Sequence, residues 1–228
     1  MGIALLFLYA YFVGAIPTAY ILGRLVRRID IRKYGSGNVG GSNVFYHVGK
    51  AWIVPLGAFE LFAKGAGPIW IGHYVLGLGF DSYVLMGAGL VAVAGHNWSV
   101  YLRFTGGRGV AVAIGVMLAL AWPVLALFTA VGAIGWLVFR SSGVVVFVSL
   151  LLTPVWAWVL GKPTSVIVLT LGIIGLISLK RLLSNFTPPP AGAPVWSVLF
   201  NRLLRDRDIE VRKDWVSRKP QEAGPEGQ

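Results

Sequence analysis

Two short polar segments of the sequence have the residue types expected of a site that binds phosphate. They read GSGNVGGSN over residues 35–43 and GHNWSVYLRFTGGRGVA over residues 95–111. Consecutive glycines let backbone N–H groups converge on an anion, and an arginine side chain can bind phosphate through two parallel hydrogen bonds. Two such segments in one chain predict a site for a phosphorylated molecule.

The second segment ends in a glycine-rich turn that leads into an apolar stretch. Gly106, Gly107 and Gly109 surround Arg108, and the sequence VAVAIG follows. A helix N-terminus at this point would attract an anion. Neither segment is a Walker A motif or a dinucleotide-binding fingerprint, which requires a preceding strand. The alternative is that the glycines only permit tight turns between helices and that Arg103 and Arg108 only mark cytoplasmic loops.

The rest of the chain has the composition of a membrane protein. Its 228 residues have 56% hydrophobic and 13% charged side chains, with a mean hydropathy of +0.73, which excludes a soluble domain of this size. A helix needs about 20 apolar residues to cross a bilayer. Pro123 interrupts the longest run and divides it in two. The predicted segments are 3–23, 51–77, 83–102, 110–121, 124–139, 143–160 and 163–179. The fold class is therefore an all-α, polytopic membrane helix bundle of about seven segments, one of them short.

The basic residues predict the orientation of this bundle. With the N-terminus outside, seven crossings place the loops around residues 24–50 and 103–108, Arg140 and the C-terminal tail in the cytoplasm, where Lys and Arg accumulate. Only Lys162 falls in an outer loop. The N-terminal apolar run could instead be a cleaved signal peptide, but it lacks a basic start and leads directly into a basic loop. We therefore expect a multi-pass protein of the bacterial plasma membrane, N-out and C-in, with its site facing the cytoplasm.

Several kinds of chemistry have no support in the sequence. The chain has no cysteine, so a thiol nucleophile and disulfides are excluded. Its three histidines, His47, His73 and His96, lack metal-ligand spacing, and we expect neither a metal nor a cofactor. The net charge of +11 lies beside the spans and in the tail, which indicates contact with anionic membrane lipids and not with nucleic acid.

The chain divides into a membrane domain, residues 1–186, and a cytoplasmic tail, residues 187–228. The tail opens with FTPPPAGAP, which cannot continue a helix. A predicted amphipathic helix follows, suited to the inner leaflet and flanked by Arg202, Arg205 and Arg207. The last dozen residues are predicted to be disordered. The apolar positions of the helix are Trp196, Leu199, Phe200, Leu203 and Leu204.

The glycine-rich segments resemble those of the PlsY family of membrane acyltransferases. Its members carry a GSGNxGxTNxxRxxG loop, a GHxxxxFxxFxGGKGVAT loop and a third motif after the last span. Here the corresponding stretches are GSGNVGGSNVFYHVG, GHNWSVYLRFTGGRGVAVA and LISLKRLLSN, within residues 5–186 and in the same order. No counterpart of the tail beyond Pro188 was recognised.

The resemblance implies an activity and a set of site residues. The activity is direct transfer of an acyl group from acyl-phosphate to glycerol 3-phosphate, without an acyl-enzyme, in phospholipid biosynthesis. Residues with a catalytic role would be Ser36, Asn38, Asn43 and Arg108. Phosphate-binding residues would be Gly35, Gly37, Ser42, Gly106, Gly107, Arg108, Gly109, Ser142, Lys180 and Asn185. Further candidates are His47, Lys64, His96 and Asn97.

Some of these candidates have simpler structural interpretations. His96 and Asn97 could bond only to the loop backbone, and Lys64 could only pair with Glu60 one helical turn earlier. Intramembrane charges are costly and often functional, so Lys64 could instead line the site.

The chain also departs from the family pattern. Tyr46 stands where the family has an arginine, Lys180 where it has a histidine and Leu183 where it has an asparagine; Ser42 and Arg108 are milder replacements of threonine and lysine. A catalytically silent or respecialised homologue that binds phosphorylated lipid precursors is therefore one alternative. A transporter of a phosphorylated solute is another, although no inverted repeat is present. The sequence does not set the oligomeric state; a monomer is compatible with it.

Overall fold

The computed structural model describes residues 1–139 and 141–209, and these ranges are helical throughout apart from turns and one isolated β-bridge between Ser99 and Thr105. The predicted all-α fold class is therefore confirmed. Arg140, used above to set the orientation, and the segment predicted to be disordered lie outside the described residues.

Twelve α-helices follow one another along these ranges, joined by short 3-10 and π-helical segments. The first six are α1 Gly2–Ala15, α2 Thr18–Arg27, α3 Gly41–Asn43, α4 Ile53–Ala58, α5 Gly67–Tyr74 and α6 Tyr83–Asn97. The others are α7 Val110–Leu120, α8 Trp122–Phe139, α9 Ser142–Leu151, α10 Thr153–Val159, α11 Thr164–Leu183 and α12 Val195–Arg205. The π-helical segments are Val44–Val48, which continues α3, and Phe59–Ala66, which joins α4 to α5.

Four helical stretches of the described chain are long and apolar enough to cross a membrane. They are Gly2–Arg27, Trp122–Phe139, Ser142–Val159 and Thr164–Phe186. Two of the other predicted segments form the shorter apolar helices α6 and α7. The stretch from α4 to α5 carries Glu60 and Lys64 in its middle, which lowers its mean hydropathy.

Helix breaks occur where the sequence places prolines. Ala121 leaves the helical region with φ −149° and ψ 46° between α7 and α8, just before Trp122 and Pro123, which agrees with the predicted division of the long run. The first apolar run is also divided, since α1 ends before Pro17 and α2 begins after it. Prolines lack the N–H that would continue the helical ladder. The predicted first segment therefore corresponds to one candidate span, Gly2–Arg27, with a break at Pro17.

Glycines allow the central helices to approach each other closely. On α1, Gly14 packs on the backbone of Ala92 of α6, and Gly95 of α6 packs on the backbone of Tyr11. Gly65, in the π-helical segment, meets Gly115 of α7 in the same way. Small residues at helix crossings are the usual means of close packing in membranes. These crossings bring the end of α6 and the start of α7, which enclose the second glycine-rich segment, next to Glu60.

A second, smaller core lies beneath the first glycine-rich segment. It comprises Ala19, Ile31, Val39, Val44, Val48, Leu56 and Leu102. The main core instead surrounds α6, where Leu85, Ala88 and Ala92 are fully buried. Large apolar side chains remain exposed on the outer surface, among them Leu5, Leu8, Trp136 and Leu137. An apolar exterior of this extent fits a lipid environment.

The tail forms the predicted helix, but its basic residues do not surround an outward-facing apolar surface. In α12, Val198, Asn201 and Arg202 are buried against α9 and α11, while Trp196 and Phe200 are exposed. Arg202 donates to the carbonyl groups of Leu182 and Thr187. Its guanidinium is therefore bound to the protein backbone and not to lipid head groups. The placement of Arg202 among outward-facing basic residues is therefore wrong, because backbone acceptors at the end of α11 bind its guanidinium.

Candidate active site

One cavity of about 410 Å³ brings the two glycine-rich segments together. The predicted site residues on its wall are Ser36, Asn38, Ser42, Asn43, His96, Arg108, Gly109 and Ser142. Apolar side chains complete one side of it, namely Ile53, Leu56, Ile114 and Val146. The cavity thus has a polar part, formed by loops, beside an apolar part, formed by helices.

Asn43 holds the first glycine-rich segment in its folded shape. Its side-chain N–H groups donate to the carbonyl oxygens of Tyr34 at 2.9 Å and Asn38 at 3.0 Å, and its Oδ1 accepts from the Ser36 N–H at 3.3 Å. Gly37 has φ 69°, a left-handed conformation that favours glycine. The segment is therefore built around one buried amide, which turns Ser36 and Asn38 toward the cavity.

The entry to this segment carries an ion pair. Asp30 accepts hydrogen bonds from the Arg32 guanidinium at 2.9 and 2.7 Å and from the Arg32 backbone N–H at 3.1 Å. The side-chain hydrogen bond to Arg32 is the main reason that the pKa of Asp30 lies below its ordinary value. The contact fixes the turn that precedes Tyr34.

Arg108 lies at the junction of the second segment with a helix. Gly109 adopts φ 73° and ends the turn, and α7 begins at the next residue with its N-terminal residues on the cavity wall. The side chain of Arg108 is 8% exposed, and its Nη1 donates to the carbonyl oxygen of Lys180 at 2.8 Å. A guanidinium and a helix N-terminus therefore face the same space, as the sequence predicted.

Asn38 lies between two sets of donors. Its Oδ1 accepts from Asn185 Nδ2 at 3.2 Å. With the amide turned over, the same side chain accepts from Nε and Nη2 of Arg108, each at 3.1 Å. Asn38 therefore lies within hydrogen-bonding distance of both Asn185 and Arg108.

Asn185 and Lys180 support the turn around Gly106. Asn185 Oδ1 accepts from the Gly106 N–H at 3.0 Å and from Lys180 Nζ at 2.6 Å, while its Nδ2 donates to the Gly106 carbonyl at 3.1 Å. Lys180 also donates to the carbonyl oxygen of Asn97. These contacts join the end of α11 to both glycine-rich segments.

Several predicted phosphate ligands thus lie behind the cavity wall. The N–H groups of Gly106 and Gly107 bond to Asn185 and to the His96 carbonyl, respectively. A Cβ at Gly107 would overlap the His96 ring. The other predicted residues that are absent from the wall are Gly35, Gly37, Lys180, Asn185, Lys64, Asn97 and His47. The lining of this cavity does not include them, and their roles in the site stay predictions.

A largely buried cluster of three ionisable side chains, Glu60, Lys64 and His96, lies at the back of the cavity. Glu60 Oε1 is 2.6 Å from Lys64 Nζ, and Glu60 Oε2 is 2.8 Å from His96 Nδ1. Lys64 is fully buried, which agrees with the proposed pairing with Glu60. Glu60 and His96 both contribute to the cavity wall, so this group connects the helix crossing at Gly65 to the site.

The structure adds residues to the site that the sequence reasoning did not select. Tyr46, discussed above only as a departure from a family pattern, lies on the wall. Arg181, Arg205, Asp206 and Arg207 also line the cavity. The density of arginines in the tail is visible in the sequence, where it predicts membrane contact.

Cationic side chains, loop amides and a helix N-terminus surround one cavity in an apolar helical bundle, and these features define an integral membrane protein with a cationic cavity suited to anionic ligands. A family model described as glycerol-3-phosphate acyltransferase matches residues 4–187. The chain belongs to this family.

Curated relatives align over most of their length. Glycerol-3-phosphate acyltransferase 4 of Dehalococcoides mccartyi strain CBDB1 is 38% identical over 91% of this chain and 90% of its own. Glycerol-3-phosphate acyltransferase 5 of D. mccartyi strain ATCC BAA-2266 is 37% identical over 94% of each chain. An alignment of that extent includes residues beyond the family model, so the tail has a counterpart in this relative.

Solved structures agree with the fold. The chain superposes on crystal structures of PlsY, an integral membrane glycerol 3-phosphate acyltransferase, in two forms. For the glycerol 3-phosphate form the TM-score is 0.73 at 31% identity, covering 79% of this chain and 88% of the other. For the lysophosphatidic acid form it is 0.75 at 29% identity, covering 95% and 98%. The suspected family resemblance is confirmed.

Proposed function

We propose that this chain transfers an acyl group from acyl-phosphate to glycerol 3-phosphate, giving 1-acyl-glycerol 3-phosphate for phospholipid synthesis. The observation that carries the proposal is the single cavity in which both glycine-rich segments and Arg108 meet beside an apolar wall. Family membership makes the protein an acyltransferase, and the polar and apolar halves of the cavity suit substrates with a phosphate group and an acyl chain.

Acyl transfer from acyl-phosphate requires of the protein little beyond the positioning of the two substrates. Acyl-phosphate is an activated mixed anhydride, so the hydroxyl of glycerol 3-phosphate attacks the acyl carbon directly. The new ester C–O bond forms as the acyl–phosphate C–O bond breaks, and the alcohol proton leaves on the released phosphate. Holding the two reactants in line and stabilising negative charge on the carbonyl oxygen provides the acceleration.

The residues of the cavity divide these tasks. Arg108 and the start of α7 bind phosphate oxygens, while Ser36, Asn38, Ser42 and Ser142 orient the substrates through neutral hydrogen bonds. Asn43, Asn185 and Lys180 maintain the loops, together with the N–H groups of Gly106 and Gly107. The acyl chain lies along Ile53, Leu56, Ile114 and Val146.

We further propose seven membrane segments in the N-out, C-in orientation, with the site facing the cytoplasm. The basic loops support this arrangement through the positive-inside tendency. Water-soluble glycerol 3-phosphate would then reach the site from the cytoplasm, and acyl-phosphate would reach it from the membrane. A plasma-membrane location follows from the same reasoning.

The direct test is an assay of the purified full-length protein with acyl-phosphate and glycerol 3-phosphate, scoring 1-acyl-glycerol 3-phosphate by mass spectrometry. Product should form in proportion to protein and disappear when either substrate is omitted. Binding of glycerol 3-phosphate is measured in parallel as a rise in the melting temperature of the protein. A stable protein that binds glycerol 3-phosphate but makes no product would be a silent homologue, and the proposed activity would be wrong.

A further inference from the structure

The C-terminal tail reaches into the cavity and contacts its central cation. Asp206 follows the last residue of α12, and its Oδ1 lies 2.6 Å from Nε of Arg108. The Asp206 side chain is 25% exposed, whereas that of Arg108 is 8% exposed. A carboxylate from the tail therefore forms an ion pair with Arg108 at the wall of the cavity.

The position of Asp206 is set by a specific docking interface. Buried Arg181 of α11 donates from Nη1 to the Leu203 carbonyl at 2.8 Å and to the Gly143 carbonyl at 3.1 Å. Gly143 also packs directly on the backbone of Arg205, where a Cβ would overlap the Arg205 carbonyl. The end of α12 is thus held between α9 and α11.

A second contact holds the chain after the helix. Arg202 Nε lies 2.6 Å from Asp208 Oδ1, and its Nη2 donates to the Thr187 carbonyl at 2.8 Å. Both Arg202 and Asp208 are buried. These contacts hold the chain on both sides of Asp206. The fold, and not a free chain end, therefore places the carboxylate beside Arg108.

We propose that Asp206 sets the affinity of the phosphate site, acting as an internal competitor for Arg108. A carboxylate and a phosphate use the same fork of guanidinium donors. A phosphate dianion has more charge and more acceptor oxygens than the carboxylate and can displace it. A singly charged carboxylate ligand binds Arg108 more weakly, and the competition raises its dissociation constant by the same factor. This inference rests on the assignment of Arg108 to phosphate binding in the proposed function.

The competition has a measurable consequence. When an internal group occupies a binding residue most of the time, the apparent dissociation constant rises by the reciprocal of the competent fraction. Asp206→Asn removes the competing charge while keeping the size of the side chain. We expect this variant to bind glycerol 3-phosphate roughly three- to tenfold more tightly. Its KM for glycerol 3-phosphate should fall similarly, with kcat unchanged or raised.

A second ligand tests the same competition: glycerate, which carries a carboxylate and no phosphate. Glycerate should inhibit the Asp206→Asn enzyme at lower concentration than the native enzyme. Asp206→Glu keeps the charge and should resemble the native chain. Asp81→Asn is the matched control, since it removes the same charge from an exposed position in the turn before α6 and should change neither constant.

A second variant tests the docking itself. Gly143→Ala should push Arg205 and Asp206 away from the cavity through its added Cβ, so it should also lower the KM for glycerol 3-phosphate. Melting temperatures establish that each variant is folded. A higher KM in either variant, a lower kcat in Asp206→Asn or unchanged binding in both would overturn the inference, because Asp206 would then support Arg108 or be irrelevant to it.

Binding measurements separate this inference from the proposed function. Titration of the purified native and variant proteins with glycerol 3-phosphate and with inorganic phosphate requires no turnover. If both ligands bind equally well to native and Asp206→Asn protein, only the competition is wrong. If neither ligand binds to either protein, the assignment of a phosphate site fails and the competition fails with it.

Discussion

Arg108 combines three properties at one position: it is buried, it carries a permanent charge and it precedes a helix. Its Nη1 donates to the Lys180 carbonyl, which holds part of the guanidinium in place and leaves Nε and Nη2 directed toward Asn38 and Asp206. A charge fixed in this way needs little reorganisation when negative charge develops on a substrate.

We predict that Arg108→Ala lowers kcat/KM for acyl transfer by about a hundredfold, as removal of one preorganised donor typically does. Steady-state kinetics with glycerol 3-phosphate measure the change. The matched control is Arg103→Ala, since Arg103 lies on the same segment but is exposed. Near-native turnover of a folded Arg108→Ala enzyme would remove this residue from the site.

At the scale of helices, the crossing between α7 and the Phe59–Ala66 segment positions the back of the cavity. Gly115 of α7 lies directly on the backbone of Leu61, one residue after Glu60. Any side chain at this crossing would separate the two helices, and the pairing of Glu60 with His96 depends on their closeness.

We predict that Gly115→Ala destabilises the protein by about 1–3 kcal/mol, the usual cost of overpacking. Gly175→Ala is the matched control, because it makes the same change in α11 at a position with open space. It should leave stability unchanged or raise it through helix propensity. Melting temperatures in one detergent compare the two variants. Equal melting temperatures would show that the crossing tolerates a methyl group.

At the scale of the molecule, the proposed function requires both glycine-rich segments to face the compartment that holds glycerol 3-phosphate. The native chain has no cysteine, so a single introduced thiol reports its own side of the membrane without interference. Ser42 is exposed at the rim of the cavity, and Lys162 lies in the loop between α10 and α11.

We predict that an impermeant maleimide added to intact cells labels Lys162→Cys and leaves Ser42→Cys unlabelled. Ser42→Cys should react only after the membrane is opened. This pattern follows if the basic loops are cytoplasmic. Labelling of Ser42→Cys from outside intact cells would reverse the proposed orientation and the cytoplasmic supply of substrate.

Sequence patterns correctly predicted the features that depend on local chemistry. Apolar runs predicted the helices, Pro123 predicted the break between α7 and α8, and the turn around Arg108 predicted a helix start beside a cation. These outcomes depend on residues adjacent in the chain. The sequence also predicted that Glu60 pairs with Lys64, since one helical turn separates them.

Only the tertiary structure decided which polar groups face the cavity. Lys180, selected as a phosphate ligand, is buried with its ammonium donating to Asn97 and Asn185, while Asp206, which no motif includes, contacts Arg108. The contacts of Lys180 with Asn97 and of Asp206 with Arg108 join residues far apart in the chain, and their meeting depends on how α11 and α12 pack. Composition and spacing predicted a phosphate site in this membrane protein, whereas packing determined which charges line the cavity, because a buried charge must bond to whichever acceptors the fold places beside it.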